Sequence, residues 1–275
     1  TDEPDALGRT RRKYCYNILV SGLDDDNGGS DTNILVRFDV PNKRIDLVSL
    51  PRDTLLHNEY RNNKLNFAYA KGGTELLMEQ IENLLGIPVD FYVTVNLKGF
   101  IALVDQIDGV DFDIPINMDY DDPYQDLHIH FTKGPRHLNG QEAMEVVRFR
   151  HNNDGTGYGT EDIGRIGTQQ AFLKAVAKQL LQIGNVKNIP ALVDIFYTYV
   201  KTDLTTGNLV WLGNEALNIG TENIHFATLP GDGSGYYNKQ SVYVLDAQAT
   251  CDLVNEALNP YNEALTLEDM DILVP

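Results

Sequence analysis

Short apolar runs with a period of two open the chain. In "TNILVRFDV", Ile34, Val36 and Phe38 recur at every second position, which is the period of a β-strand with one face on a core. The turn residues "PNK" lead from this run into the apolar run 44–50, so the two runs predict a hairpin. A shorter apolar run at 17–21 predicts another strand before the hairpin.

Helical periodicity follows the hairpin. Apolar side chains repeat along one helical face in "ELLMEQIENLLGIP", and the glycine and proline at its end are stop signals. A strand, "FYVTV", and a second amphipathic helix come next; the apolar positions of the two helices are Leu77, Ile81, Leu84, Leu85, Phe100, Leu103, Val104 and Ile107. Alternating strands and helices predict an α/β fold, a layered α-β-α domain in which helices flank a central mixed sheet.

The pattern divides the chain into three parts. Residues 1–13 are polar and aperiodic, which predicts a flexible tail or linker. Residues 14–182 carry the alternating elements of the core. Residues 183–275 add further helices and strands without a Ser/Pro-rich linker, so we expect them to belong to the same fold. Their acidic end, "NEALTLEDMDILVP", is expected to be loosely held.

Composition narrows the class of protein. The 275 residues are 42% hydrophobic, enough for a substantial core, and the formal net charge of -18 argues against a nucleic-acid partner. Cys15 and Cys251 form no metal-binding motif, and a disulfide and two buried free thiols both remain open. No apolar run approaches the length of a membrane span. The chain opens at Thr1 rather than Met, so we expect a trimmed or processed N-terminus.

Several arginines gather in "VRFRHNNDGTGYGTEDIGRIGTQQ". Arg148 and Arg150 are two residues apart, and an extended backbone would point both the same way, while Arg165 and Gln169 share one face of a predicted helix. Guanidinium groups bind phosphate oxygens in pairs, so this set suits a pyrophosphate. Composition alone equally allows ion pairs with nearby acids; these are Asp154, Glu161 and Asp162. The glycines of "GTGYGTED" predict an exposed loop, because the lysine of a phosphate-binding loop is missing.

Three further segments carry charged or metal-binding side chains. In "GLDDDNGGSDT", four aspartates surround glycines at a strand end, where carboxylates could hold Mg²⁺ in part or simply form a solvated turn; they are Asp24, Asp25, Asp26 and Asp31. In "SLPRDT", Arg52 beside Asp53 would by itself be a turn ion pair. The "HIH" at 128–130 would place both imidazoles on one face of a strand, but no third ligand is evident, so we expect an exposed hairpin.

The ordered motifs "SDT", "SLPRDT", "KLNFAYAKGG", "LLGIPVDFYVTVNLKGF", "GVDFDI", "HLNGQEAMEVVRFRH" and "GRIGTQQAFLKA" resemble the LytR-CpsA-Psr family of cell-wall ligases. The match runs from about Tyr16 to Leu181. The resemblance implies an extracytoplasmic phosphotransferase, chiefly of Gram-positive bacteria, attached to the membrane by an N-terminal anchor. Such enzymes move a glycopolymer from a polyprenyl-pyrophosphate carrier to peptidoglycan, and an apolar pocket holds the lipid.

The resemblance also assigns roles to individual residues. It implies Mg²⁺, with Mn²⁺ as an alternative, at Asp24 of "GLD" and Asp31 of "SDT". The implied catalytic residues are Asp31, Arg52, Arg148, Arg150 and Arg165, and the pyrophosphate-binding set is the same four arginines with Gln169. Asp31 is the first candidate for the base that activates the acceptor hydroxyl. The chain departs from the family at Thr168, where a second arginine is common.

Two other functions fit the same residues. A pyrophosphatase of lipid-linked intermediates would use the same arginines and metal with water as acceptor. A module that binds polyprenyl phosphates without chemistry would be favoured by Thr168 and by a loop at 151–162 that is longer than usual for the family.

Overall fold

The computed structural model describes residues 4–23, 28–124, 126–158, 161–182 and 189–275, with the backbone alone at 161–163, 180–182, 189–192 and 195. The chain divides into two compact units. The first unit combines Thr1–Asn96 with Lys201–Pro275, and the second unit is Leu97–Val200. The described strands are β1 (Cys15–Leu23), β2 (Ser30–Asp39), β3 (Arg44–Leu50), β4 (Phe91–Val95), β5 (Val110–Ile114), β6 (Met118–Asp122), β7 (Leu127–Phe131), β8 (Gly134–Leu138), β9 (Val200–Thr202), β10 (Ile224–Thr228), β11 (Gly231–Tyr237) and β12 (Gln240–Leu245). The described α-helices are α1 (Leu65–Leu85), α2 (Leu97–Gln106), α3 (Gly140–Arg148), α4 (Glu161–Gln182), α5 (Ile189–Tyr199), α6 (Thr206–Ile219) and α7 (Ala247–Ala257).

A six-stranded sheet in the order β10-β3-β2-β1-β4-β9 is the centre of the fold. The pairs β1-β2 and β2-β3 are antiparallel, whereas β1-β4 and β3-β10 are parallel, so the sheet is mixed. Leu19, Leu35 and Val48 lie side by side across three strands and are fully buried under α1 and α7. On the opposite face, Ile18 packs with Leu212 of α6. The predicted α/β fold, a mixed sheet flanked by helices, is therefore confirmed.

Helix α1 begins earlier than the apolar pattern indicates. It starts at Leu65, and the backbone leaves helical geometry at Gly72 and Gly73, where φ of Gly73 is 66°. This break explains why the periodic stripe becomes regular only after the glycines. The helix ends at Gly86, as predicted, and the φ of 67° at this glycine is left-handed. A side chain would not fit there, because a Cβ on Gly86 would lie 2.2 Å from the carbonyl oxygen of Asp269.

The second unit has its own core. Helices α2, α3 and α4 and the strand pairs β5-β8 and β6-β7 bury a cluster that includes Val104, Ile129, Phe149 and Phe172. The predicted exposed hairpin around His128–His130 is the β6-β7 pair. At the start of α3, the Asn139 side chain accepts from the backbone of Glu142 while the Glu142 carboxylate accepts from the backbone of Asn139.

Both ends of the described chain contact the first unit. Within the segment expected to be a tail, Arg11 Nη2 lies 2.9 Å from Asp90 Oδ2 and Arg12 Nη1 lies 2.7 Å from Asp39 Oδ2. The expectation of a loosely held C-terminal end is wrong, because Leu265 is buried in the core and the Asp271 amide donates to the Asn83 carbonyl. The few apolar residues of that acidic segment are enough to dock it.

The cysteines are both buried and carry free thiols. Of the two possibilities that the sequence left open, buried thiols are therefore correct and the disulfide is wrong. Burial raises the pKa of Cys15 and of Cys251. No helix of the described chain is both long and apolar enough to cross a bilayer.

A buried ion pair should control the stability of the first unit. Arg37 Nη2 lies 2.7 Å from Asp46 Oδ2, and the side chains are 4% and 3% exposed. We expect Asp46→Ala to lower the free energy of unfolding by about 3–5 kcal/mol, because it leaves the buried guanidinium without its counterion. Urea unfolding followed by fluorescence measures this, since the single tryptophan, Trp211, lies in the first unit.

The matched control is Glu256→Ala. Glu256 pairs with Arg44, and Arg44 also contacts Asp46. The Glu256 side chain, however, is 68% exposed. Its removal should change the free energy of unfolding by less than about 0.5 kcal/mol. Equal losses in the two variants would show that the buried pair has no special weight.

Candidate functional site

The register of β2 and β3 brings Asp31 and Arg52 together. Asn33 of β2 lies opposite Leu50 of β3 in this antiparallel pair. The chain positions of Arg52, two residues after Leu50, and Asp31, two residues before Asn33, therefore lie opposite each other. Arg52 Nη1 accordingly donates to Asp31 Oδ1 in a close ion pair, although the residues are 21 positions apart. Both side chains are about one third exposed. The pair is thus accessible from solvent yet held by the sheet.

Asp53 and Lys64 extend this pair into a chain of alternating charges. Arg52 Nε lies 3.7 Å from Asp53 Oδ1, and Lys64 Nζ lies 3.3 Å from the same oxygen. The backbone fixes both partners, because the Asn66 amide donates to the Arg52 carbonyl and the Leu65 amide to the Thr54 carbonyl. Two acids and two bases therefore compensate one another in the first unit.

One oxygen of this cluster is chemically unusual. Asp53 Oδ1 is buried and makes no hydrogen bond of normal geometry, although two cations lie within ion-pair distance. The sequence interpretation of Arg52 and Asp53 as a simple turn ion pair is incomplete, since the shorter contact of Arg52 is to Asp31. Local reasoning missed this because the partner lies on another strand. Asp24, the other predicted metal ligand, lies outside the described residues.

The arginine segment of the second unit begins where α3 ends. Arg148 is the last residue of the helix, and Phe149 follows with φ of -58° and ψ of 133°. Phe149 is buried, whereas Arg148 is half-buried and Arg150 is exposed. The predicted extended backbone begins only at Phe149, because Arg148 is still helical, and that the two arginine side chains point the same way stays a prediction.

Helix α4 supplies the other predicted residues and is tied to the end of α3. Gln169 Nε2 donates to the Val147 carbonyl at 3.3 Å, one residue before Arg148. Arg165, one turn earlier on α4, is only 6% exposed. The structure thus places Arg148, Arg165 and Gln169 on two helices joined by a hydrogen bond.

The sequence also allowed ion pairs between the arginines and three nearby acids, of which the structure describes the side chain of Asp154. The Asp154 carboxylate accepts from the Thr156 amide at 2.9 Å and from Thr156 Oγ1 at 2.6 Å, and these hydrogen bonds lower its pKa. Asp154 therefore belongs to a turn. The side chains of Glu161 and Asp162 lie outside the described residues, so pairing with them stays a prediction.

Thr168 has a structural role that the sequence did not reveal. Its Oγ1 lies 2.7 Å from the hydroxyl of Tyr158, and Thr168 is buried. Burial raises the pKa of Tyr158. Gly164 permits this contact, because a Cβ there would lie 2.3 Å from Tyr158 Cβ. At the position where the resemblance leads us to expect an arginine, Thr168 instead joins Tyr158, in the segment before α4, to the helix.

The apolar positions of the two predicted helices divide between the units. Leu77, Ile81 and Leu84 are fully buried in the core of the first unit, and Val104 belongs to the core of the second. These four residues are core residues, the commoner role of such a stripe. The lipid pocket itself stays a prediction.

Comparison with known proteins gives a consistent result. The profile of the LytR-CpsA-Psr family matches residues 3–259. The polyisoprenyl-teichoic acid–peptidoglycan teichoic acid transferase TagV of Bacillus subtilis is 32% identical over 87% of this chain and 62% of its own length. The corresponding transferase TagU of Bacillus cereus is 32% identical over 87% of this chain and 76% of its own length. The chain thus spans less than two thirds of the first relative.

A solved structure shares the fold over almost the whole chain. The crystal structure of Bacillus subtilis TagV superposes with a TM-score of 0.76 at 27% identity, covering 96% of this chain and all of the other. The α/β architecture described above is therefore that of a known protein with a similar sequence.

The Tyr158–Thr168 contact allows a double-mutant test. We expect Thr168→Val to lower the free energy of unfolding by about 1–3 kcal/mol, because the buried Tyr158 hydroxyl loses its partner. Adding Tyr158→Phe should recover most of that loss, since both polar groups are then gone. Urea unfolding followed by circular dichroism measures the four corners of the cycle. Strictly additive losses would show that the two hydroxyls do not interact.

Proposed function

The chain belongs to the LytR-CpsA-Psr family, and on that premise we propose that it transfers a glycopolymer from a polyprenyl-pyrophosphate carrier to peptidoglycan. The names of TagV and TagU, both teichoic acid transferases acting on peptidoglycan, support this reaction. Teichoic acid, capsule and other secondary wall polymers are all suitable cargoes. The bond to the lipid phosphate breaks as a phosphodiester forms with the acceptor hydroxyl.

The observation that carries the proposal is the Arg52–Asp31 pair. Both residues stand in motifs that match the family, and they lie 21 residues apart in sequence, yet the β2-β3 register joins their side chains. A partly exposed arginine held by a carboxylate can exchange that partner for a phosphoryl oxygen.

The arginines would do most of the chemical work. Phosphoryl transfer needs positioned positive charge near the phosphoryl oxygens more than covalent assistance. We assign this role to the arginines that the family resemblance implies, which are Arg52, Arg148, Arg150 and Arg165, with Gln169 as a hydrogen-bond donor. Asp31 is the proposed base for the acceptor hydroxyl.

The donor set of the first unit suits Mg²⁺. Asp31 offers a partly exposed carboxylate, and Asp53 Oδ1 is a buried carboxylate oxygen without a normal hydrogen bond. Oxygen ligands of this kind are those that Mg²⁺ and Mn²⁺ prefer. We propose that Asp31, together with Asp24, holds the ion. When bound, Mg²⁺ would stabilise negative charge on the phosphoryl group. Asp31 would then share its carboxylate with the ion, and Arg52 would be available to the pyrophosphate.

The family also supports a location for this chemistry. We propose that the protein acts on the extracytoplasmic side of the membrane of a Gram-positive cell. Its partners there would be the polyprenyl-linked glycan and peptidoglycan.

A binding module without catalysis is the second candidate. The observation that favours it is the Tyr158–Thr168 contact, which occupies the place of a family arginine with a structural hydrogen bond. Such a module would hold the lipid phosphate through the remaining arginines. It would have no need for the Asp31–Arg52 pair, which therefore favours the transferase.

Arg150→Ala tests the transferase directly. We expect its transfer rate to fall by about 10²-fold or more, because a charge that stabilises the transition state is removed. The assay uses a polyprenyl-pyrophosphate disaccharide, uncrosslinked peptidoglycan oligomers and Mg²⁺, with mass spectrometry of the phosphodiester product.

Arg136→Ala is the matched control for that assay. Arg136 is an exposed arginine of the same unit that pairs with Glu142, outside the family's arginine motifs. Its transfer rate should be unchanged. Glycan 1-phosphate with polyprenyl phosphate and no adduct would identify a pyrophosphatase, and lipid binding without either product would identify the binding module.

A further inference from the structure

Four ligand-type side chains share the outer face of the β6-β7 pair. The register sets Asp119 opposite His130 and Asp121 opposite His128. Side chains two apart on a strand point the same way, so both acids and both imidazoles project from one face. The alternate residues Met118, Leu127, Ile129 and Phe131 face inward and are buried.

Contacts within the group are close. His128 Nδ1 lies 2.5 Å from Asp121 Oδ1, and His130 Nδ1 lies 2.8 Å from Asp119 Oδ1. His130 Nε2 also lies 3.2 Å from Asp121 Oδ1. One ligand atom from each of Asp121, His128 and His130 fits within 4.8 Å of the others. Two atoms bound to one Zn²⁺ ion at about 2.0–2.2 Å lie roughly 3.3–3.6 Å apart in a tetrahedral shell, a spacing that small side-chain rotations would reach from these positions.

The backbone that carries these ligands is fixed from outside the strand pair. Asn152 Oδ1 accepts from the Asp119 amide at 2.7 Å, and Asn153 Oδ1 accepts from the Asp121 amide at 2.6 Å. The Asn153 amide donates in turn to the Asp119 carbonyl at 3.1 Å. On the other strand, the burial of Ile129 between the two histidines holds them in register. Only side-chain rotation remains to close a shell around an ion.

We propose that Asp119, Asp121, His128 and His130 bind a divalent transition-metal ion, with Zn²⁺ as its representative. Two imidazole nitrogens with carboxylate oxygens form a donor set of intermediate softness, which suits Zn²⁺ and its neighbours. Mg²⁺ and Ca²⁺ prefer shells of oxygen alone, so the histidines select against them. The site shares no residue with the proposed transferase chemistry and does not depend on it.

Zinc titration of the whole, tag-free chain by calorimetry tests the proposal. Aspartate contacts raise the pKa of both histidines, so the titration is run near pH 8, where protons compete with the metal less than at neutral pH. We expect one Zn²⁺ per chain. Each of His128→Gln, His130→Gln and Asp121→Asn should weaken binding by at least about tenfold, the loss that follows when a metal site is disturbed. Mg²⁺ should not displace the bound Zn²⁺.

His137→Gln is the matched control. His137 Nδ1 lies 2.7 Å from Asp111 Oδ1 across β5 and β8, and its side chain is as exposed as those of His128 and His130, but it has no second histidine beside it. Its affinity for Zn²⁺ should equal that of the wild type. Circular dichroism confirms the fold of each variant. Absence of binding, or equal weakening in the control, would overturn the proposal.

Discussion

The pairing of β2 with β3 is the constraint on which most of the first unit depends. A shift of β3 by one residue along β2 would turn Val48 from the core under α1 and α7 to the opposite face, while Leu35 stayed in the core. The same shift would separate Arg52 from Asp31, since their contact extends the register of Asn33 and Leu50. Burial of apolar side chains and placement of the charged pair are thus secured by one set of backbone hydrogen bonds.

The second unit positions its arginines by a different principle. The buried ring of Phe149 holds the chain between Arg148 and Arg150, and Gln169 of α4 donates to the carbonyl of Val147. Each charged residue therefore adjoins a fixed neighbour, although the arginines keep different exposures. A side chain that must meet a charged ligand benefits from this arrangement, because less conformational entropy is lost on binding.

Local patterns in the sequence predicted most elements of the fold but few of the contacts between residues that are distant in sequence. Period-two runs and the stop at Gly86 depend on neighbours in sequence, so they could be read directly. The Arg52–Asp31 contact depends on strand register, and the family resemblance rather than the spacing indicated its importance. The acids facing His128 and His130 escaped for the same reason: they lie on the preceding strand, outside any local metal motif.

The loop that follows Arg150 is attached at two places, first to β6 through Asn152 and Asn153 and then to α4 through Tyr158. Upstream, Asn153 is fastened to Asp119 and Asp121; downstream, Tyr158 is fastened to Thr168, and the residues between are exposed. The arginines before the loop and the helix after it are thus held by separate attachments. New chain ends, or an inserted peptide, at Gly155 would leave both attachments intact, which makes this turn the natural place for a label or a permuted terminus.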